Sequence, residues 1–263
     1  MNTNDIRNHF LSHSLWVNPE ETVDTVKAGD ATKPVSTVAV GWVSSIGSLQ
    51  AAAELGCDLF ITHEPTFWDH YDRVDDPLRK IEPCLTKQRL LDESGMVVLR
   101  CHDAWDRWPG LGIRDSWAKW LGLDQLIGED KDRWMGLYRI DPQPLGQFAL
   151  HMAQRVALLG EDSVRVTGDA DKAISHVALG VGCAVPDQPM IDMGADAMVV
   201  CYDGASYWQT RQRFDELGLG VIAVEHGTSE LPGLMSLARY VQETFSLKVH
   251  YLDKHVRPWT VSA

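Results

Sequence analysis

Short apolar runs recur along the chain: VSTVAVG (Val35–Gly41), DLFIT after Gly56, MVVLRC after Gly95, ISHVALG (Ile174–Gly180), DAMVVC after Gly194 and VIAVE after Gly220. They are rich in Val, Ile, Leu and Ala and alternate with stretches of helical spacing. That pattern predicts strands buried on both faces, in a largely parallel sheet with helices packed on it. Leu78, Ile81 and Leu85 define one helix face that Gly95 would end. Leu234, Leu237, Ala238, Val241 and Phe245 define another, with Pro232 suited to the first turn of a helix that Thr228 or Ser229 caps near Leu231.

The runs come in two matching sets. Val35–Gly41, a helical stretch and then GCDLFITHE are mirrored by Ile174–Gly180, a helical stretch and then GADAMVVCYD. Each copy continues with a helix, a glycine, an apolar strand and a histidine followed four residues later by a carboxylate: CHDAWD in the first, EHGTSE in the second. The expected architecture is two pseudo-symmetric α/β domains with largely parallel or mixed sheets flanked by helices. The stretch Leu123–Gln143, with GEDKDRW and DPQP, has the composition of a connection and sets the domains at residues 1–130 and 131–263, the second returning ligands from about residue 221 to a shared site.

A formal charge of -13 weighs against a nucleic-acid backbone as partner, which leaves a small molecule or a protein. The N-terminus has no signal-peptide pattern, and no apolar segment reaches the roughly 20 residues that a bilayer span needs. The five cysteines, an odd number without a C-x-x-C pair, are expected to be buried reduced thiols, consistent with the cytoplasm and with no membrane partner. Motifs for an NTPase, a serine hydrolase or a dinucleotide-binding fold are missing from the sequence.

Candidate chemistry gathers at strand exits, where parallel α/β sheets place their ligand sites. His63 and Glu64 close DLFIT, His102 closes MVVLRC and His226 closes VIAVE, with Asp106 and Glu230 four residues after the last two histidines. Imidazole together with carboxylate suits Zn, Mn, Fe or Ni, and carboxylates can bridge two ions. His102 is expected to orient Asp106, and Glu64 is open to two readings, ligand or general base. At the equivalent point the second copy has Cys201, Tyr202 and Asp203. Asp203, Tyr207 and Trp208 are therefore read as substrate-side or structural, with core packing favoured for both aromatics. The tryptophans of WDRWPGLGIRDSWAKWLG are read as core, and His9, His13, His70, His151, His176, His250 and His255 as without a functional context.

GCDLFITHEP, CHDAWDRWPGLGIRDSWAKWLGL and GADAMVV followed by VIAVEHGTSE together resemble the NIF-three-like dinuclear metal-centre family, the GTP cyclohydrolase 1 type 2 homologues, over nearly the whole chain. The resemblance implies two α/β domains related by a pseudo-dyad, a homohexameric assembly and a pair of divalent ions (Zn, Mn, Fe, Ni or Mg). By motif, the ligands would be His63, Asp106, His226 and Glu230, with Glu64 standing where the family has a second histidine. Catalytic roles would fall to Glu64 and His102. Two departures are Glu225 in place of a glycine and the segment GVGCAVPD, which lacks a serine and glycine cluster. The implied activity is a metal-dependent hydrolase acting on a small nucleotide-like, phosphoester or cyclic amide substrate. The alternatives are a non-catalytic cofactor-binding or metal-delivery protein, or a partner of transcription regulators with structural metals.

Overall fold

The computed structural model describes residues 1–180, 182 and 187–261, which leaves Cys183 and most of the GVGCAVPD segment outside the described residues. Among the described residues, no helix is long and apolar enough to cross a membrane. The chain opens with α1 (Thr3–His13), whose start is fixed by reciprocal hydrogen bonds: Asp5 N–H donates to Asn2 Oδ1 at 3.1 Å and Asn2 N–H to Asp5 Oδ2 at 2.9 Å. Then come β1 (Val26–Ala28), β2 (Thr37–Gly41), α2 (Ile46–Glu54), β3 (Leu59–Thr62), α3 (Cys84–Ser94), β4 (Val97–Arg100) and α4 (Asp103–Asp106). β3 and β4 are buried along their whole length, as the apolar runs require.

The helix expected from Leu78, Ile81 and Leu85 is corrected. Pro77–Lys80 forms a separate 3-10 turn and α3 starts only after Pro83, so those three side chains are exposed and the buried face is Cys84, Lys87 and Leu91. Two prolines six residues apart interrupt the amide donors that one continuous helix would need.

The chain continues through α5 (Ile113–Leu121), β5 (Gln125–Glu129), β6 (Met135–Pro144), α6 (Leu145–Ala157), β7 (Arg165–Thr167), β8 (Ala173–Gly180), α7 (Asp187–Asp192), β9 (Ala197–Cys201), α8 (Tyr202–Ala205), α9 (Trp208–Glu216), β10 (Gly220–Val224), α10 (His226–Phe245) and β11 (Lys248–Tyr251). α10 begins at His226, not near Leu231, and carries Pro232 within it rather than in its first turn. Ser229, expected as a cap, lies inside the helix and donates from Oγ to the His226 carbonyl at 2.7 Å.

Two compact units result: Met1–Gly112 with Leu234–His255, and Ile113–Gly233 with the chain from Val256 onward. The expected division at residue 130 falls inside the antiparallel β5–β6 hairpin, whose two strands belong to one sheet. The first sheet has the order β1-β4-β3-β2-β11, and the second β5-β6-β8-β9-β10-β7. In the first, β2, β3, β4 and β11 are parallel and β1 runs antiparallel at the edge. In the second, β8, β9 and β10 are parallel and β7 runs antiparallel at the edge. The sequence repeat is thus a repeat of wiring: β1-β4-β3-β2 and β7-β10-β9-β8 follow one plan.

Candidate metal centre

In the first unit, the carboxyl ends of β3 and β4 bring His63, Glu64, His102 and Asp106 together. His63 is fully buried, and its Nδ1 lies 3.0 Å from the Cys101 carbonyl. A carbonyl only accepts, so Nδ1 must carry the proton and a neutral ring turns a lone pair outward at Nε2. That Nε2 faces Asp106 Oδ1 at 3.2 Å. A lone pair opposed to a carboxylate is unfavourable between two acceptors and becomes favourable when a cation lies between them. The donor set therefore fits a divalent metal. His102 stacks on His63 with ring centroids 4.5 Å apart, and its Nδ1 lies 3.0 Å from Asp103 Oδ1 and 3.2 Å from Asp106 Oδ2. One ligand atom each from His63, Glu64 and His102 falls within a sphere of contacts no longer than 4.8 Å.

Three side chains that no local motif marks hold this cluster. Buried Arg100 donates from Nε to the His63 carbonyl at 2.8 Å, from Nη2 to Glu64 Oε2 at 3.3 Å and from Nη1 to the His70 carbonyl at 2.5 Å. Asp24 accepts the backbone N–H groups of His102, Asp103 and Ala104 at 2.6, 3.0 and 2.8 Å, which supplies α4 with the cap its own N-terminal residue lacks. Burial, reinforced by Asp103 beside it, pushes the Asp24 carboxyl up. Asp103 is also partly buried, yet hydrogen bonds from His102 and Thr22 and from Val23 N–H hold it well below the usual carboxylate range. For His102, burial opposes the charged form, but the Asp106 carboxylate and the hydrogen bond to Asp103 together outweigh it and raise the imidazole.

The second unit repeats the device. α10 places His226 and Glu230 on one helix face, with His226 Nε2 2.9 Å from Glu230 Oε1. His226 Nδ1 lies 3.0 Å from Asp203 Oδ2 in α8, just past β9. With Asp203 fixing a proton on Nδ1, the neutral ring would again offer its Nε2 lone pair to a cation shared with the buried Glu230 carboxylate. Carboxylate, imidazole and metal in a row are a recurrent means of orienting a ligand. Asp203 thus stands behind a candidate ligand. Tyr207 and Trp208 are each 59% exposed, against the expectation of core packing, because they lie at the solvent-facing start of α9. Trp105, Trp108 and Trp117 are buried as expected. Asp106 and Glu230 are likewise buried, at 2% and 1% exposure, which sets them apart from ordinary surface carboxylates.

Known proteins resemble this chain in family and in fold. The family described as Duf34/NIF3 (NGG1p interacting factor 3) matches residues 4–258. A Clostridium perfringens protein named GTP cyclohydrolase 1 type 2 homolog is 24% identical, over 96% of this chain and 95% of that protein. A Pseudomonas aeruginosa protein of the same name is 26% identical, over 83% of this chain and 84% of that one. Among solved structures, one described as protein ybgI, of unknown function, superposes with a TM-score of 0.80 at 21% identity, covering 97% of this chain and 99% of its own. A Bacillus cereus protein related to NIF3 gives 0.79 at 14% identity, covering 100% and 99%.

Proposed function

Since the chain belongs to the Duf34/NIF3 family, we propose that it holds two divalent metal ions through His63, Glu64, Asp106, His226 and Glu230 and uses them to hydrolyse a small nucleotide-like, phosphoester or cyclic amide substrate. The observation that carries this reading is made once in each unit: a histidine with Nδ1 held by an acceptor and Nε2 turned onto a buried carboxylate, at 3.2 Å for His63 and Asp106 and 2.9 Å for His226 and Glu230. That one centre draws on both sets rests on motif order and family membership. When bound, a pair of such ions lowers the pKa of water and offsets charge developing on the substrate.

The chain's own groups supply the rest. The Cys101 carbonyl and Asp203 fix two ligand tautomers, and Arg100 orients Glu64. Glu64 is only partly exposed, and we assign it to one of two tasks, ligand or proton acceptor. His102, between Asp103 and Asp106, positions the Asp106 carboxylate. Names of relatives as GTP cyclohydrolase 1 type 2 homologues support a purine-related substrate. The buried, free thiols of Cys57, Cys84, Cys101 and Cys201 support a reducing, cytoplasmic setting. We extend the family's hexameric assembly to this chain on the same basis.

Elemental analysis of protein purified without chelator tests the reading. We expect about two ions per chain, falling in Asp106→Ala and His226→Ala, together with turnover of a nucleotide, phosphoester or purine-like compound. Fewer than about one ion per chain, unchanged in both variants, removes the metal centre. A full complement of metal without turnover of any such compound leaves binding or delivery as the role.

A further inference from the structure

Two adjoining cavities of about 300 and 290 Å³ lie within the second unit and share Arg165, Tyr202 and Ala223 in their walls. Their place follows from the sheet: Arg165 at the start of β7 pairs with Ala223 near the end of β10, and Tyr202 follows the last residue of β9. One cavity runs along the β7–β10 edge past Val221, and the other lies at the carboxyl end of β10 beside Val224 and Glu225, where such sheets bind ligands. His226, Asp203 and Glu230 do not line them.

The charges in these walls are separated by sign. One cavity has Arg165 and Arg211 over an apolar floor of Val221 and Ala205. The other has Glu161, Asp162 and Glu225 beneath Trp259. Among the described residues neither arginine is paired with a carboxylate: Arg165 donates to the Tyr202 hydroxyl and lies 4.1 Å over its ring, and Arg211 has no side-chain partner. On the acidic side, Glu161 is only 7% exposed, its two oxygens accept from the N–H of Glu225 at 3.1 and 3.3 Å, and its other neighbour is the uncharged Thr228 hydroxyl. Burial pushes its carboxyl up to about 7, as expected of a carboxylate that no cation compensates.

We infer that these cavities bind a small zwitterion, with a cationic nitrogen against Glu161, Asp162 and Glu225 and a carboxylate or phosphate against Arg165 and Arg211. The Tyr202 ring and the apolar floor receive the body between them. A purely anionic ligand would leave the acidic wall uncompensated, and a purely cationic one the two arginines. The site is independent of the metal reading, since it uses none of the proposed ligands.

Titration calorimetry on the full chain, with and without chelator, tests it at about pH 8, where Glu161 is largely ionised. Nα-acetyl-L-lysine supplies a carboxylate zwitterion and O-phosphoethanolamine a phosphate one, and the tighter of the two assigns the anion. We expect saturable binding that survives chelation. It should weaken about tenfold or more for n-butylamine, which lacks the anion, and in Glu161→Gln and Arg211→Ala. Circular dichroism melts of both variants at about pH 5, where Glu161 is largely protonated, should match wild type, which separates loss of contacts from loss of fold. The inference is overturned if neither zwitterion saturates the intact protein, or if either variant that melts like wild type binds as well as it does.

Discussion

Asp24 sits 78 to 80 residues before the three amides it accepts, and by capping α4 it fixes the turn that carries His102 and Asp106. Replacing it with alanine strands three N–H groups, two of them in partly buried positions. We expect a loss of about 2–4 kcal/mol in urea denaturation, with Asp24→Asn losing less because one amide oxygen still accepts. A loss within experimental error for Asp24→Ala would show that α4 does not depend on this cap. His63, Asp106, His226 and Glu230 were legible in the sequence because each lies at the end of an apolar run or four residues past a histidine. Asp24, Arg100 and Asp103 were not, since a side chain that caps or clamps from a distant segment leaves no periodic trace. Asp203 stood at the repeat-equivalent point, yet its bond to His226 Nδ1 depends on α8 turning directly after β9.

Among the elements, strands buried on both faces read as unbroken apolar runs, whereas the β5–β6 hairpin has the composition of a connection. β5 is mostly exposed and its turn is polar, so its pattern matches that of a linker. Thr228 and Ser229 have the chemistry of helix caps, yet they lie in the first turns of α10, a helix that starts at His226 and tolerates Pro232. Two predictions belong to this scale. A Cβ at Gly112, between α4 and α5, would meet the Trp105 carbonyl oxygen at 2.3 Å and Trp108 N at 2.6 Å, both backbone atoms. Gly112→Ala should therefore cost about 2–3 kcal/mol, and an unchanged urea midpoint would refute the close approach. Glu161 precedes β7, and its carboxyl is raised from 4.5 to about 7 by burial. The folded state binds this proton more tightly than the unfolded chain does. Its stabilising contribution is complete below about 4.5 and is lost as pH rises through about 7. Between about pH 5 and 8, wild type should lose about 1–2 kcal/mol more than Glu161→Gln, allowing for partial hydration, and parallel pH profiles would contradict this.

For the whole molecule, the first unit is closed by chain that arrives more than a hundred residues after Gly112. Tyr240 of α10 packs against Phe10, Trp105 and Trp108 with ring centroids 5.2–6.0 Å apart, and its hydroxyl lies 2.8 Å from His9 Nε2. Phe245 lies 4.9 Å from the His9 ring, and β11 pairs with β2 along its length. A fragment of residues 1–130, the division the sequence suggests, lacks all of these. It also holds β5 without β6, leaving an exposed, apolar-bearing edge at Leu126 and Ile127. Each large side chain left uncovered forfeits about 1.5–3 kcal/mol of burial, so losing Tyr240 and Phe245 together with their neighbours in α10 consumes most of the roughly 5–15 kcal/mol that holds a domain folded. The fragment should show no cooperative thermal transition by circular dichroism. Residues 1–112 joined by a short flexible linker to 234–255 should regain one, because that chain restores the helix and the strand that complete the first sheet. Cooperative melting of residues 1–130 alone would mean that α10 and β11 decorate the first unit instead of completing it.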